Sequence, residues 1–160
     1  MATITPTLTI TANAASATIA GPMSSAISLS VTDSLTVDTV QAKTVTPANS
    51  GAPTLLLAGD TYGGDSGDTA GTDGSFLYLK NSTASGTSII YVGTVLQGAA
   101  APANMGAGTT ALDNADDATL RLMTLKVGEF AFLPWDYMQD IYVGASSGDQ
   151  SLEYMLFNRA

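Results

Sequence analysis

The chain has 160 residues, a net charge of −9 at pH 7 from 14 acids against five cations, and neither cysteine nor histidine. That composition excludes a disulfide framework and a thiolate metal site, and it removes the commonest general base and transition-metal ligand. Lys43, Lys80, Arg121, Lys126 and Arg159 are too few and too scattered to track a phosphate backbone or an anionic bilayer, so neither nucleic acid nor a membrane is expected as partner.

One domain is expected, with an N-terminal arm or small lobe; a domain of this length can bury roughly 70% of its unfolded surface without staples. The start, Met1 to Ile10, lacks the basic, continuously apolar character of an export signal, so synthesis in the cytoplasm without export is expected. No run approaches the ~18 apolar residues of a membrane helix.

Residues 3–12 alternate Thr with Ile4, Leu8 and Ile10, the pattern of a Thr-rich strand. A short run around Ile19 ends at Gly21-Pro22, a turn signal. Ile27, Leu29 and Val31 mark the next strand. Leu35 and Val37 continue, and the parity then shifts to Val40 and Ala42, which predicts a bulge or a bend between sheets. Residues 47–53 are a Pro/Asn/Gly cluster, taken as the boundary between an N-terminal part (1–50) and the main body (51–160). The first 50 residues hold no aromatic side chain, and ten of the chain's eleven aromatics lie at or after Phe76. The N-terminal strands are therefore expected to lean on the main body or on a neighbouring molecule.

Leu55-Leu56-Leu57 reads as a short buried strand and residues 60–74 as a loop. Residues 75–80, apolar on both parities, read as a central strand; 81–87 as a polar hairpin connection; and 88–95 as the returning strand. Residues 96–118 are a long Ala/Gly/Asn/Asp segment. Residues 120–135 are expected to be the hub of the core. Met123, Leu125 and Val127 alternate with polar residues up to Gly128-Glu129, and Phe130 to Trp135 is apolar on both parities, as in a strand covered on both faces. Strands at 139–144 and 152–157 close the set. No stretch keeps helical periodicity beyond a turn or two. The expected fold is therefore all-β, an antiparallel sandwich of jelly-roll type with eight to ten short strands.

Asp60, Asp65, Asp68 and Asp73 in the 60–74 loop are the candidate calcium ligands, since such loops can supply the oxygens calcium takes. Their spacing is not that of an EF-hand, and a plain solvated loop has the same composition. Glu129, Asp136 and Asp140 are the carboxylates near the aromatic segment that a glycosidase pair would draw on, but each is at a turn where an exposed acid needs no explanation. Trp135 with Tyr137 and Tyr142 would make a sugar-stacking platform if exposed; the competing reading is a Trp that ends a core strand. No catalytic residue, metal or cofactor is assigned.

The segment from Thr124 to Trp135, with Asp140 to Val143 and Leu152 to Phe157, resembles small virion structural proteins of tailed bacteriophages, especially aquatic ones. The Thr-alternating opening strands and the strand from Phe76 to Asn81 follow the same order. What the resemblance implies is a non-enzymatic capsid decoration (cement) protein on the virion exterior, in contact with the capsid shell and with copies of itself. The alternative is a head or tail fibre or adhesin module that binds host carbohydrate. For the decoration reading, the expected interface residues are Thr5, Thr7 and Thr9 of the opening strand, which would add to a neighbour's sheet edge, and Asn104 and Met105 of the long loop. Gly128 is expected to supply a positive φ at a tight turn with Glu129 at its exposed corner.

Overall fold

The computed structural model describes residues 2–12, 27–32, 35–49, 53–59, 75–96, 98–99, 120–136, 138–148 and 150–159. Its elements are eleven strands: β1 (Ala2–Ile4), β2 (Thr7–Ala12), β3 (Ile27–Thr32), β4 (Leu35–Val45), β5 (Thr54–Leu57), β6 (Ser75–Asn81), β7 (Ile89–Leu96), β8 (Leu120–Lys126), β9 (Phe130–Trp135), β10 (Gln139–Ala145) and β11 (Leu152–Arg159). The chain divides into two compact units at Val37/Asp38, inside β4, and not in the 47–53 cluster expected to mark the boundary.

In the first unit, β1 pairs antiparallel with the start of β4, Ala2 opposite Val37 and Ile4 opposite Leu35. Strands β2 and β3 form a two-stranded antiparallel sheet of their own.

The second unit is a sandwich of two sheets. The first has the strand order β4-β11-β6-β9, the second β5-β10-β7-β8. The pairs β6·β11, β6·β9, β5·β10, β7·β10 and β7·β8 are antiparallel. Sequence neighbours rarely share a sheet: of the successive pairs from β4 to β11, only β7 and β8 do. Partners are nested instead, β7 with β8, β6 with β9, β5 with β10, and β4 beside β11.

The period-2 pattern sets the two layers face to face. Along β6 the burial alternates strictly, with Ser75, Leu77, Leu79 and Asn81 inward. Leu152, Tyr154 and Leu156 of β11 and Trp135 of β9 join them from the same layer. From the other layer come Leu56 and Leu57, Ile90 and Val92, Leu125, and Ile141 and Val143. Leu77, Leu79, Ile90, Val92, Leu152 and Leu156 are fully buried. At about 1.5–3 kcal/mol per buried large aliphatic side chain, this inter-sheet layer is the main source of stability.

Two sequence expectations are corrected. Residues 120–135 are not the centre of the core: β8 and β9 are edge strands of different sheets. On β9 only Trp135 is buried, while Phe130 and Phe132 are exposed. Both parities of β9 are apolar because its outer face is aromatic, not because a second layer covers it. Likewise residues 81–87 are not a hairpin connection, since β6 and β7 belong to opposite sheets and the segment crosses between them. The expectation for β6 holds: it lies between β11 and β9.

Hydroxyl groups stitch one end of the sandwich. Ser82 N donates to Ser151 O at 2.8 Å, and Ser151 N to Thr83 Oγ1 at 2.9 Å. Thr83 Oγ1 donates to Oε1 of buried Gln150 at 3.1 Å, and Ile89 N donates to Ser146 Oγ at 2.8 Å. This is where the chain's abundant Ser and Thr satisfy the backbone groups of the crossings.

Candidate functional site

The corner between β8 and β9 follows from residue type. Lys126 to Glu129 is a β-turn closed by Glu129 N donating to Lys126 O at 2.9 Å, with Gly128 at φ 81° in its third position, as a type II turn requires. The Glu129 carboxylate accepts from Lys126 N at 2.8 Å. Gly128 thus has the positive φ and Glu129 the exposed corner that the sequence predicts. Beside the turn lies an open groove of about 580 Å³ lined by Met123, Leu125, Glu129, Phe130 and Ala131. Among the described residues that line it, the ionisable side chain is Glu129, already engaged with the turn.

The other two candidate carboxylates also cap backbone. Asp136 Oδ1 accepts from Met138 N at 2.9 Å, and Asp140 Oδ1 accepts from Gly59 N at 2.8 Å. Among the described residues no three His, Cys, Asp or Glu side chains cluster as metal ligands do. Asp60, Asp65, Asp68 and Asp73 lie outside the described residues, as do Asn104 and Met105. Thr5, Thr7 and Thr9 are exposed in the first unit, and Thr7 Oγ1 lies 3.3 Å from Thr32 Oγ1.

Trp135 is not the exposed centre of a stacking platform, and Tyr137 lies outside the described residues. Trp135 is 4% exposed and its indole Nε1 donates to Gln139 O at 2.9 Å, which holds it in the core at the strand end. Tyr142 is buried too, on the opposite face of its sheet, in a small cluster with Val95, Tyr91 and Ala99. Burial, and secondarily the negative charge of Asp140, push the Tyr142 hydroxyl pKa up. On the same sheet the Arg121 guanidinium sits 4.5 Å from the Tyr91 ring centre, a cation–π contact.

The surface that stands out was missed in the sequence. On the outer face of β11-β6-β9, strand alternation and register bring Phe76 and Tyr78 of β6 beside Phe132 and Phe130 of β9, with Phe157 on β11. Phe76 and Phe132 stack at 5.5 Å with planes 1° apart, Tyr78 and Phe130 lie at 6.1 Å, and Phe157 meets Phe132 edge-on at 6.1 Å. All four phenylalanines of the chain are on this face. Phe130 is 63% and Phe132 39% exposed. Among the side chains described on this face, the charged ones are Lys80 and Glu153, which stand opposite each other on β6 and β11. The clue available beforehand was that both segments carry two aromatics on one parity, Phe76 and Tyr78 in the first and Phe130 and Phe132 in the second.

The backbone at this edge is blunted. Asn81 N donates to Glu129 O and Gly128 N to Asn81 O, so the alternation of an antiparallel ladder turns the backbone groups of Phe130, Phe132 and Pro134 toward the free edge. Pro134 has no N–H to offer there, which discourages addition of another strand. The aromatic face, and not the strand edge, is what β9 presents.

Compared with known protein families, curated proteins and solved structures, the chain finds no match.

Proposed function

We propose that the protein is a non-enzymatic virion structural protein that decorates and stabilises a bacteriophage capsid, binding the shell through the aromatic face of β11-β6-β9. The observation that carries this reading is that face: all four phenylalanines are on one outer sheet surface, two of them exposed. Contiguous apolar surface of this kind marks an interaction site. The nested strand order supports the reading further. We take β4 to β11 as a jelly roll, an architecture used by viral capsid and lectin domains, though fold alone does not assign function. The resemblance of residues 124–135 and 152–157 to phage structural proteins points the same way.

The size of the face favours a lattice over a single partner. Three strands about 4.8 Å apart and six residues long cover roughly 290 Å² in projection. A stable one-to-one interface buries about 800 Å² per partner. A contact this small becomes durable when many copies engage one shell at once. Lys80 and Glu153 cancel, so the contact is mainly apolar and salt weakens it little.

The test is add-back. Purified protein is mixed with capsids that lack it, and occupancy and survival of heating are measured. Full-length protein should load the shell and raise its rupture temperature. Phe130→Ser with Phe132→Ser should fold yet lose occupancy. No loading by the wild type, or equal loading by the double variant, rejects the proposal. Binding to glycans in place of shells would select the adhesin reading.

A further inference from the structure

The β2–β3 ribbon has a different composition from the sandwich. Its register sets Leu8 opposite Val31, Ile10 opposite Leu29 and Ala12 opposite Ile27. The alternate positions pair Thr7 with Thr32, Thr9 with Ser30 and Thr11 with Ser28. One face position set is wholly apolar, the other wholly hydroxyl. Leu8 is 53% exposed.

We propose that this ribbon is the element through which copies of the chain associate, apolar face against apolar face. The inference specifies the contact between copies that the resemblance to decoration proteins implies, and it does not depend on the shell contact of the proposed function.

Two observations select a second copy as the occupant. First, among the described residues β2 and β3 make a two-stranded sheet, and a two-stranded ribbon is marginal in water without a further layer. Second, charge is distributed unevenly. Residues 1–37 hold one acid, Asp33, and no cation, so residues 38–160 carry −8 of the net −9. Two copies that approach through their sandwiches bring like charges together, whereas two ribbons meet with almost none. The self-contact that costs least in repulsion is therefore ribbon to ribbon. Symmetric closure follows naturally, because each copy presents the same self-complementary face. Thr7, Thr9 and Thr11 then lie away from the contact, on the hydroxyl side.

The experiment is light scattering on the full chain, without capsid, from micromolar to submillimolar concentration. Wild type should be a closed oligomer. Leu8→Gln with Leu29→Gln should be a monomer whose Trp135 emission, a readout of the sandwich, is unchanged. Thr9→Gln with Ser30→Gln, on the hydroxyl side, should keep the oligomer. A wild type monomeric at the highest concentration overturns the inference, as does an oligomer that survives the Leu8/Leu29 double substitution. A monomeric wild type whose melting temperature falls in that double variant also overturns it, because the ribbon would then pack within its own chain. Oligomers that fail to bind capsid leave the inference standing and reject only the shell contact.

Discussion

Asn81→Ala tests whether the two sheets are locked at the β8–β9 corner. Asn81 is fully buried at the end of β6. Its Nδ2 donates to Leu125 O of the opposite sheet at 3.0 Å, and its Oδ1 accepts from Thr83 N at 3.2 Å. Alanine removes both bonds and leaves an acceptor and a donor without their partner. An unsatisfied buried group costs about 1–3 kcal/mol. Thr83 is only half-buried, so its share lies at the low end, and the total is about 2–4 kcal/mol. For a sandwich of this size each kcal/mol moves the midpoint by roughly 4 °C, so the melting temperature should fall by roughly 8–16 °C. Circular dichroism and Trp135 fluorescence during heating and urea titration measure it. Asn81→Asp goes further: the new carboxylate still accepts from Thr83 N but faces the Leu125 carbonyl with no proton. Burial raises the folded pKa of that carboxyl above its unfolded value, about 3.9. Stability of this variant is therefore greatest below pH 4 and is lost as pH rises through the folded pKa, measured against wild type at each pH. A loss under about 2 °C for Asn81→Ala, or no relative acid rescue of Asn81→Asp, would show that the cross-sheet bond contributes little.

Gly128→Ala should destabilise by about 1–2 kcal/mol and Gly128→Asn by less, because an added Cβ meets nothing within 4 Å and the whole cost is the backbone at φ 81°; urea midpoints report both. Trp135 should emit at short wavelength and resist iodide quenching until the sandwich unfolds; quenching in the native state would contradict its burial. Tyr142 has a folded pKa above 10.0, so its contribution is present below pH 10 and is lost as pH rises through the folded value. Tyr142→Phe should flatten that alkaline loss in thermal melts, and an unchanged alkaline profile would reject the assignment.

The local pattern was enough to place most strands. Alternation at 122–127 and at 75–80 marks two faces of an extended chain, and Gly128-Glu129 marks a turn because few residues but glycine tolerate the required φ. The end of a strand at Trp135 was equally legible, since Pro134 and Asp136 both interrupt pairing. What alternation cannot state is which neighbour a strand takes. Asn81–Ser88 looks like a hairpin locally, yet it is a crossing, because β6 pairs with β11 and β9 while β7 belongs to the other sheet. That choice depends on residues as far apart as Ser75 and Asn158, 83 positions along the chain. The aromatic face was hidden for the same reason. Phe130 and Phe132 form one parity of an apolar run, and an apolar run reads as buried on both sides. Only the tertiary structure shows that β9 ends its sheet, leaving its outer parity, with Phe76, Tyr78 and Phe157 beside it, to face outward. Period fixes the two sides of a strand, whereas exposure is a property of what the rest of the chain, or another molecule, lays over each side.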